Sequence, residues 1–151
     1  MPVFESSVPL ACTREQLWEF LVRPTNVLRI LPPDAGMSFL SVPERLELGS
    51  RVEFQIEGMG PVQHVLHEVT QFDPMSRFVE SQVKGPLKAW DHNHILEDDA
   101  GGVLLIDRVQ FEPPGGLIGF VVTEQLVYGM LESGFSHRHK ALQELCAAGN
   151  L

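Results

Sequence analysis

Two histidines separated by one residue form the part of this sequence best suited to chemistry. They lie in the segment Trp90-Asp91-His92-Asn93-His94. Alternate side chains of a β-strand share a face, so Trp90, His92 and His94 would lie on one side of a sheet. A dry apolar core does not favour two imidazoles. The segment therefore predicts the wall of a partly polar cavity, the usual form of a small-molecule site.

A glutamate is predicted to lie beside the first of these histidines. A three-residue hairpin loop at Gly85-Pro86-Leu87 would pair Glu80 with His92 and Gln82 with Trp90 across two neighbouring strands. A glutamate and a histidine at this distance could exchange a proton, or they could simply satisfy each other's hydrogen bonds. Both interpretations of the pair remain open.

An aspartate is the second acidic candidate. Asp107 lies on the apolar face of the next predicted strand, and its register leaves open whether it faces His92, faces His94 or lies diagonal to both. An acid that orients an imidazole is the arrangement used in general-base catalysis, but an Asp that anchors a strand is equally ordinary. The candidate catalytic residues are therefore His92, His94, Glu80 and Asp107, and none is assigned a role.

A metal site is the third use that two such histidines could have. Histidines at positions i and i+2 of a strand can bind one ion, with Glu80 or Asp107 supplying an oxygen. Zinc needs three or four ligands in a preset shape, and no second motif completes such a set. The sequence therefore predicts no metal and no cofactor.

The predicted C-terminal helix adds one further charge near these residues. Arg138 lies on the helix face nearest the sheet, where it could pair with Asp107 or Glu80 or extend to solvent. His137 and His139 are about 200° apart around this helix and cannot chelate one ion.

Length, charge and composition restrict the class of protein. The chain has 151 residues, 44% of them hydrophobic, and suits a single domain spanning residues 1–151. Its net charge of −9 disfavours nucleic acid and anionic lipid as partners. The absence of a signal-like N-terminus and of an 18-residue apolar run predicts a cytoplasmic protein without a membrane span. Cys12 and Cys146 match no metal or redox spacing and are interpreted as reduced structural thiols.

Cap and stop signals predict a strand and two short helices near the N-terminus. Residues 3–11 form the first predicted strand. A helix begins at the capping box of Thr13 and Gln16 and ends before Pro24, and a second short helix ends at Pro32.

The rest of the chain predicts six strands and a long helix. Between residues 36 and 112, short apolar runs alternate with turn residues, which is typical of antiparallel strands. After Gly116 a helix is expected to run to about Ala148 and to cover the sheet. Residues 117–131 are apolar nearly all round, so we expect this first half of the helix to be buried on more than one side.

This order of elements resembles the helix-grip fold of the START-like, or SRPBCC, superfamily. The segments that carry the resemblance are similar to bacterial polyketide cyclase/dehydrase-like and coenzyme Q-binding-like members; they are residues 24–33, 77–86, 90–94, 107–109 and 135–142. The resemblance implies an α+β, Bet v 1-like fold. In it a curved, antiparallel seven-stranded sheet wraps a long C-terminal helix, with two short helices after strand 1. The superfamily contains lipid carriers, hormone receptors and polyketide cyclases, so the fold does not fix the function.

Three functional interpretations follow from these residues and from the resemblance. The first is binding of a hydrophobic or aromatic small molecule, lipid-, polyketide- or quinone-like, in a cavity between the sheet and the C-terminal helix. The second is a cyclase or dehydratase type of enzyme, in which His92 or His94 removes a proton and Glu80 or Asp107 orients or returns it. The third is a protein-interaction or chaperone-like module, with a homodimer as its simplest form. Binding without catalysis is favoured.

The binding interpretation predicts apolar side chains along the ligand and polar side chains at one end of it. The predicted ligand-binding residues are Val52, Phe54, Glu80, Gln82, Trp90, His92, His94, Asp107, Val109, Phe111, Leu131 and Phe135.

Overall fold

Seven antiparallel strands form one sheet in the computed structural model, which describes residues 1–58 and 60–151. The strands are β1 (Val3–Leu10), β2 (Met37–Ser41), β3 (Arg51–Ile56), β4 (Gln63–Asp73), β5 (Arg77–Lys84), β6 (Ala89–Asp99) and β7 (Gly102–Glu112). The α-helices are α1 (Arg14–Leu21) and α2 (Glu124–Ala147), and 3-10 helices span Pro24–Arg29 and Gly116–Phe120. The strand order is β1-β7-β6-β5-β4-β3-β2, so the first and last strands pair. This architecture confirms the predicted helix-grip α+β fold.

The first helix begins at the predicted capping box. The Thr13 hydroxyl accepts a hydrogen bond from the Gln16 backbone N–H at 3.1 Å, and the Gln16 side chain accepts one from the Thr13 N–H at 2.9 Å. These bonds satisfy two backbone donors that would otherwise lack partners at the helix start. Leu17 and Trp18 are then buried against the sheet, and the second short helix is of the 3-10 type.

Two apolar clusters cover the buried face of the sheet. The larger, here the Trp18 cluster, includes Trp18, Val8, Leu10, Val52, Phe54, Phe78, Leu96, Leu105 and Leu142. The smaller, here the Phe135 cluster, consists of Phe4, Val109, Phe111, Val127, Leu131 and Phe135, with Leu87, Trp90 and Val122 packed against it. Helix α2 contributes to both clusters.

The expectation that residues 117–131 form a helical segment buried on more than one side was wrong. Leu117 and Phe120 are 85% and 82% exposed, because they precede the helix and lie in the 3-10 segment. Helix α2 begins only after Thr123, whose hydroxyl accepts from the Leu126 N–H at 3.2 Å. From there one helix face is buried, through Val127, Leu131, Phe135, His139 and Leu142. In the described part of the chain, no helix is long and apolar enough to cross a bilayer.

The two cysteines pack together against the Trp18 cluster as free thiols, within the described residues. Burial, followed by the contact with Cys12, raises the pKa of the Cys146 thiol to about 12. A thiol with so high a pKa is protonated at neutral pH and is a poor nucleophile.

We predict that removing one buried side chain of α2 measurably weakens the fold. Leu142 is 1% exposed, so Leu142→Ala should lower the free energy of unfolding by about 2–5 kcal/mol through lost burial and the cavity left behind. Leu126 lies on the same helix but is 43% exposed, and Leu126→Ala should change stability by less than about 0.5 kcal/mol. Urea denaturation measures both values. Equal losses in the two variants would contradict the described packing of α2.

Candidate functional site

The β5–β6 hairpin brings Glu80 beside the two histidines. Glu80 lies opposite His92, and Phe78 lies opposite His94, which confirms the predicted register. The predicted three-residue loop was wrong, because four residues, 85–88, separate β5 from β6. Alternation along the strands then places Glu80, His92 and His94 on the buried face.

Gln82 departs from its predicted position opposite Trp90, because the β5–β6 ladder as described ends at the pair Ser81 and Asp91. Beyond that pair the Gln82 side-chain amide donates to the Leu87 carbonyl oxygen at 2.7 Å. This bond closes the hairpin loop, so the Gln82 amide nitrogen supports the loop instead of facing a ligand.

Asp107 joins the sheet to α2 through two short hydrogen bonds. It lies opposite His94 in the β6–β7 register, but its carboxylate bonds the diagonal neighbour, with Oδ1 2.7 Å from His92 Nε2. Its other oxygen, Oδ2, is 2.7 Å from His139 Nε2 on α2. An ionised carboxylate only accepts hydrogen bonds, so both imidazoles donate their Nε2–H to it.

The charge on Asp107 is maintained by these bonds. The residue is 4% exposed, and burial alone would raise the pKa of its carboxyl group. The hydrogen bonds from His139 and His92 outweigh burial and hold the pKa well below its ordinary value. The site therefore contains a permanent buried negative charge.

Glu80 is the second negative charge. Its Oε2 lies 3.8 Å from Nδ1 of His67, an electrostatic contact longer than a hydrogen bond. Burial would raise the Glu80 pKa, but the interactions with His67 and then with His94 and His92 lower it to about 2. His67 in turn stacks on Trp90, with ring centroids 6.2 Å apart.

His94 is a buried imidazole with an unused nitrogen. Its ring stacks on Phe78 at 4.0 Å and on His92 at 3.7 Å between centroids. Among the described residues, its buried Nδ1 has no hydrogen-bond partner. Burial, reinforced by the neighbouring His92, lowers the pKa of His94 to about 3. The ring is therefore neutral at physiological pH.

These side chains form a continuous polar band between the two apolar clusters. On the buried face of β7, Asp107 lies between Leu105, which belongs to the Trp18 cluster, and Val109, which belongs to the Phe135 cluster. Strands β1 and β6 and helix α2 cross from one cluster to the other in the same way. The polar band consists of Ser6, His67, Glu80, His92, His94, Asp107 and His139.

The edge of the polar band reaches the surface. Ser6 lies opposite Asp107 on β1, and its hydroxyl is 3.3 Å from His139 Nδ1. Ser6 and His139 line a surface depression of about 470 Å³ between β1 and α2, together with Tyr128 and Glu132. A second depression, of about 400 Å³, lies around α1 and the first 3-10 helix and touches no member of the polar band.

Two further donors lie at the border of the Phe135 cluster. The Arg138 guanidinium sits 4.9 Å above the Phe135 ring, and it forms no ion pair within 4.0 Å with a residue that the structure describes. Burial lowers the Arg138 pKa, while Asp107 and Glu80 oppose that shift from a distance. The Trp90 indole Nε1 is also buried, and no described atom accepts its hydrogen bond.

The predicted ligand-binding residues divide between the two clusters. Val52 and Phe54 belong to the Trp18 cluster, although the Phe54 ring reaches the polar band through His67, 5.1 Å away. The remaining apolar residues of the prediction lie in or against the Phe135 cluster; they are Trp90, Val109, Phe111, Leu131 and Phe135.

Sequence reasoning missed Ser6, His67 and His139. A signal for His139 was present, because it follows Phe135 by four residues and precedes Leu142 by three, which places it on the buried helix face. The hydroxyl of Ser6 carried no comparable signal, since only strand pairing puts it beside Asp107.

We predict that His94 makes the fold sensitive to mild acid. Its pKa is lowered from 6.5 to about 3, so between these values the unfolded chain binds a proton that the folded chain does not. Stability therefore falls as the pH drops through this range. Glu80 and Asp107 have ordinary values of 4.5 and 3.8, so these carboxyl groups contribute little between pH 6.5 and about 5.5. In that interval, the difference between the wild type and a His94 variant reports this histidine.

Urea denaturation at several pH values within that interval tests this prediction. His94→Phe, which preserves stacking on Phe78, should show a smaller loss of unfolding free energy than the wild type. The exposed His64 provides the control, and His64→Gln should follow the wild-type curve. Parallel curves for wild type and His94→Phe would contradict the assignment.

Comparison with solved structures identifies the fold. The chain is similar to TTHA0849 from Thermus thermophilus, with 14% identity and a TM-score of 0.77 over 99% of this chain and 100% of that one. It is similar to the Zhui aromatase/cyclase from Streptomyces sp. R1128, with 15% identity and a TM-score of 0.71 over 97% and 93% of the two chains. It is also similar to Ara h 8.0201, with 16% identity and a TM-score of 0.67 over 97% and 98%. These likenesses confirm the predicted START/SRPBCC-like fold.

The sequence comparisons assign the family. No curated protein matches the chain significantly. The family model described as "Domain of unknown function (DUF8410)" matches residues 8–146, which is most of the chain. The protein therefore belongs to the DUF8410 family.

Proposed function

We propose that the protein binds a small apolar molecule with an anionic or carbonyl oxygen at one end, held between the sheet and α2. The observation that carries this proposal is the Trp90 indole N–H, which is buried at the Phe135 cluster without an acceptor among the described residues. Beside it, the half-buried Arg138 guanidinium lies over Phe135 without an ion pair in the described part of the chain. An unpaired buried donor costs about 1–3 kcal/mol. A ligand oxygen would supply the missing acceptor.

The positions of these donors support a single binding region. The His92 ring makes edge contacts with both Phe135 and Trp90, at 5.2 and 6.3 Å between centroids. Trp90 thus contacts His92 directly. Arg138 lies over Phe135, so one aromatic ring separates it from His92. Trp90 and the Phe135–Arg138 pair therefore both border the His92 ring.

The surrounding surface supports an apolar body for the ligand. The Phe135 cluster offers aromatic and branched side chains, and Val122 packs against its border. Immediately before Val122, the 3-10 segment and its C-cap expose four large apolar side chains, Leu117, Ile118, Phe120 and Val121, at 63–85%. Grouped exposed apolar residues typically mark a binding surface. Lipid-, polyketide- and quinone-like molecules all combine an apolar body with such an oxygen.

A cyclase or dehydratase type of enzyme is the second candidate. Asp107 bonds Nε2 of His92, so in the neutral ring Nδ1 holds the lone pair that a general base needs. His92 Nδ1 would accept a proton from the ligand, and Asp107 would stabilise the resulting imidazolium. The similarity to an aromatase/cyclase supports this candidate at the level of the fold.

We predict that 2-naphthoate, a small aromatic carboxylate, binds at the Phe135 cluster. In an NMR titration it should shift the indole N–H resonance of Trp90. The indole of Trp18, in the other cluster, is an internal control and should not move. Arg138→Met should weaken binding at least tenfold, about 1.4 kcal/mol, because the carboxylate loses its ion pair.

Two controls make this titration decisive. Arg23→Met removes a surface guanidinium paired with Glu19 and Glu44 and should leave the affinity unchanged. The neutral 2-naphthalenemethanol should bind the wild type more weakly than 2-naphthoate does. The two compounds should bind Arg138→Met with equal affinity. An unmoved Trp90 resonance, or equal 2-naphthoate affinity in wild type and Arg138→Met, would refute the proposal.

The two candidate functions differ in what the protein should carry. We predict that native mass spectrometry of protein purified from its own cells shows a retained small molecule. The same molecule in wild type and His92→Gln supports binding alone. A molecule heavier by one water in His92→Gln would instead indicate a dehydratase whose substrate accumulates.

A further inference from the structure

We propose that Glu80, His92 and His94 form a binding site for a divalent transition-metal ion such as Zn²⁺. One potential ligand atom from each of the three residues lies within 4.8 Å of the other two. Two imidazoles and one carboxylate are a donor set that such ions accept, with at least one coordination position left for water or another ligand.

The strand register supplies the ligand that sequence reasoning lacked. Two histidines on β6 gave only two donors, and no further motif completed the set. Pairing of β5 with β6 places Glu80 directly opposite His92, so its carboxylate becomes the third donor. We therefore revise the sequence-based expectation that this chain holds no metal.

His94 provides independent evidence for a ligand. Its side chain is more than nine-tenths buried, and Nδ1 lacks a partner within the described part of the chain. Stacking on Phe78 and the close contact with the tilted His92 ring hold the plane of the His94 ring. A buried nitrogen in a fixed orientation with no hydrogen bond is costly, and a metal ion would use its lone pair.

Asp107 orients the second histidine in the way that metal sites require. Metal-bound histidines typically donate their other ring N–H to a carboxylate, which fixes the tautomer and raises the basicity of the ligand nitrogen. Asp107 accepts from His92 Nε2 at 2.7 Å, so Nδ1 remains available to the ion. His139 holds the carboxylate from the other side.

Only a small adjustment would close the site. Ligand atoms around a tetrahedral ion with bonds of about 2.0–2.1 Å are separated by roughly 3.3 Å. The present limit of 4.8 Å therefore requires an approach of up to about 1.5 Å. The Glu80 side chain is partly exposed, so its rotation can bring the carboxylate closer to the imidazoles.

Titration of metal-free protein with Co²⁺ and Zn²⁺ tests this site. Co²⁺ bound by two imidazoles and a carboxylate should give visible ligand-field bands, and Zn²⁺ should displace it with a stoichiometry of one. Glu80→Gln and His94→Phe should each lower the Zn²⁺ affinity at least about a hundredfold. Asp107→Asn should lower it by about 10–100-fold through His92.

Control variants separate this site from other histidines and from misfolding. His64→Gln, on the exposed face of β4, should retain wild-type affinity. Glu80→Gln is isosteric, so its circular dichroism should match that of the wild type. Absent ligand-field bands, or equal Zn²⁺ affinity in wild type, Glu80→Gln and His94→Phe, would overturn the proposal. No organic ligand enters this titration, and the 2-naphthoate titration uses metal-free protein, so each proposal fails or stands separately.

Discussion

One buried carboxylate determines how the interior of this protein is arranged. Asp107 accepts a hydrogen bond from a sheet histidine, His92, and from a helix histidine, His139, each at 2.7 Å. A charge in an apolar interior is tolerated only when hydrogen bonds surround it, and removing one partner of such a set is strongly destabilising. The position of α2 on the sheet and the tautomers of both rings are therefore coupled through this single side chain.

The polar band and its border contain polar groups of two kinds, and their hydrogen bonding distinguishes them. Asp107 and His139 satisfy each other and serve the fold, while His92 donates its Nε2–H to Asp107 and is also a proposed metal ligand through Nδ1. His94 Nδ1 and Trp90 Nε1 are buried without partners in the described residues, and Arg138 lies near them without an ion pair there. A ligand that bonds such unpaired donors and acceptors gains binding free energy, because it removes the cost of leaving them without partners. The proposed organic ligand uses Trp90 and Arg138 of this group, whereas the proposed metal ion uses His94 together with Glu80 and His92.

Patterns with local causes were predictable from the sequence. The turn signal at Gly85-Pro86-Leu87 predicted the pairing of Glu80 with His92, although the connection has four residues instead of three. A capping box predicted the start of α1. Features that depend on distant contacts were not predictable. The apolar composition of residues 117–131 did not reveal that α2 starts after residue 123. Strand pairing alone did not indicate that the Asp107 carboxylate bonds its diagonal neighbour His92 instead of His94, which lies opposite. His139 is an intermediate case. Its place on the buried face of α2 could be predicted from the sequence, but its hydrogen-bond partner on β7, Asp107, could not.

Detection of the imidazole protons is the most direct test of this account. Long-range ¹H–¹⁵N correlation spectra at neutral pH distinguish the Nε2–H from the Nδ1–H form of each ring. We expect His92 and His139 to carry their proton on Nε2, with slow exchange with solvent, and we expect both signals to change in Asp107→Asn. Nδ1–H forms at either residue, or spectra unaffected by that substitution, would contradict the central role of the Asp107 carboxylate.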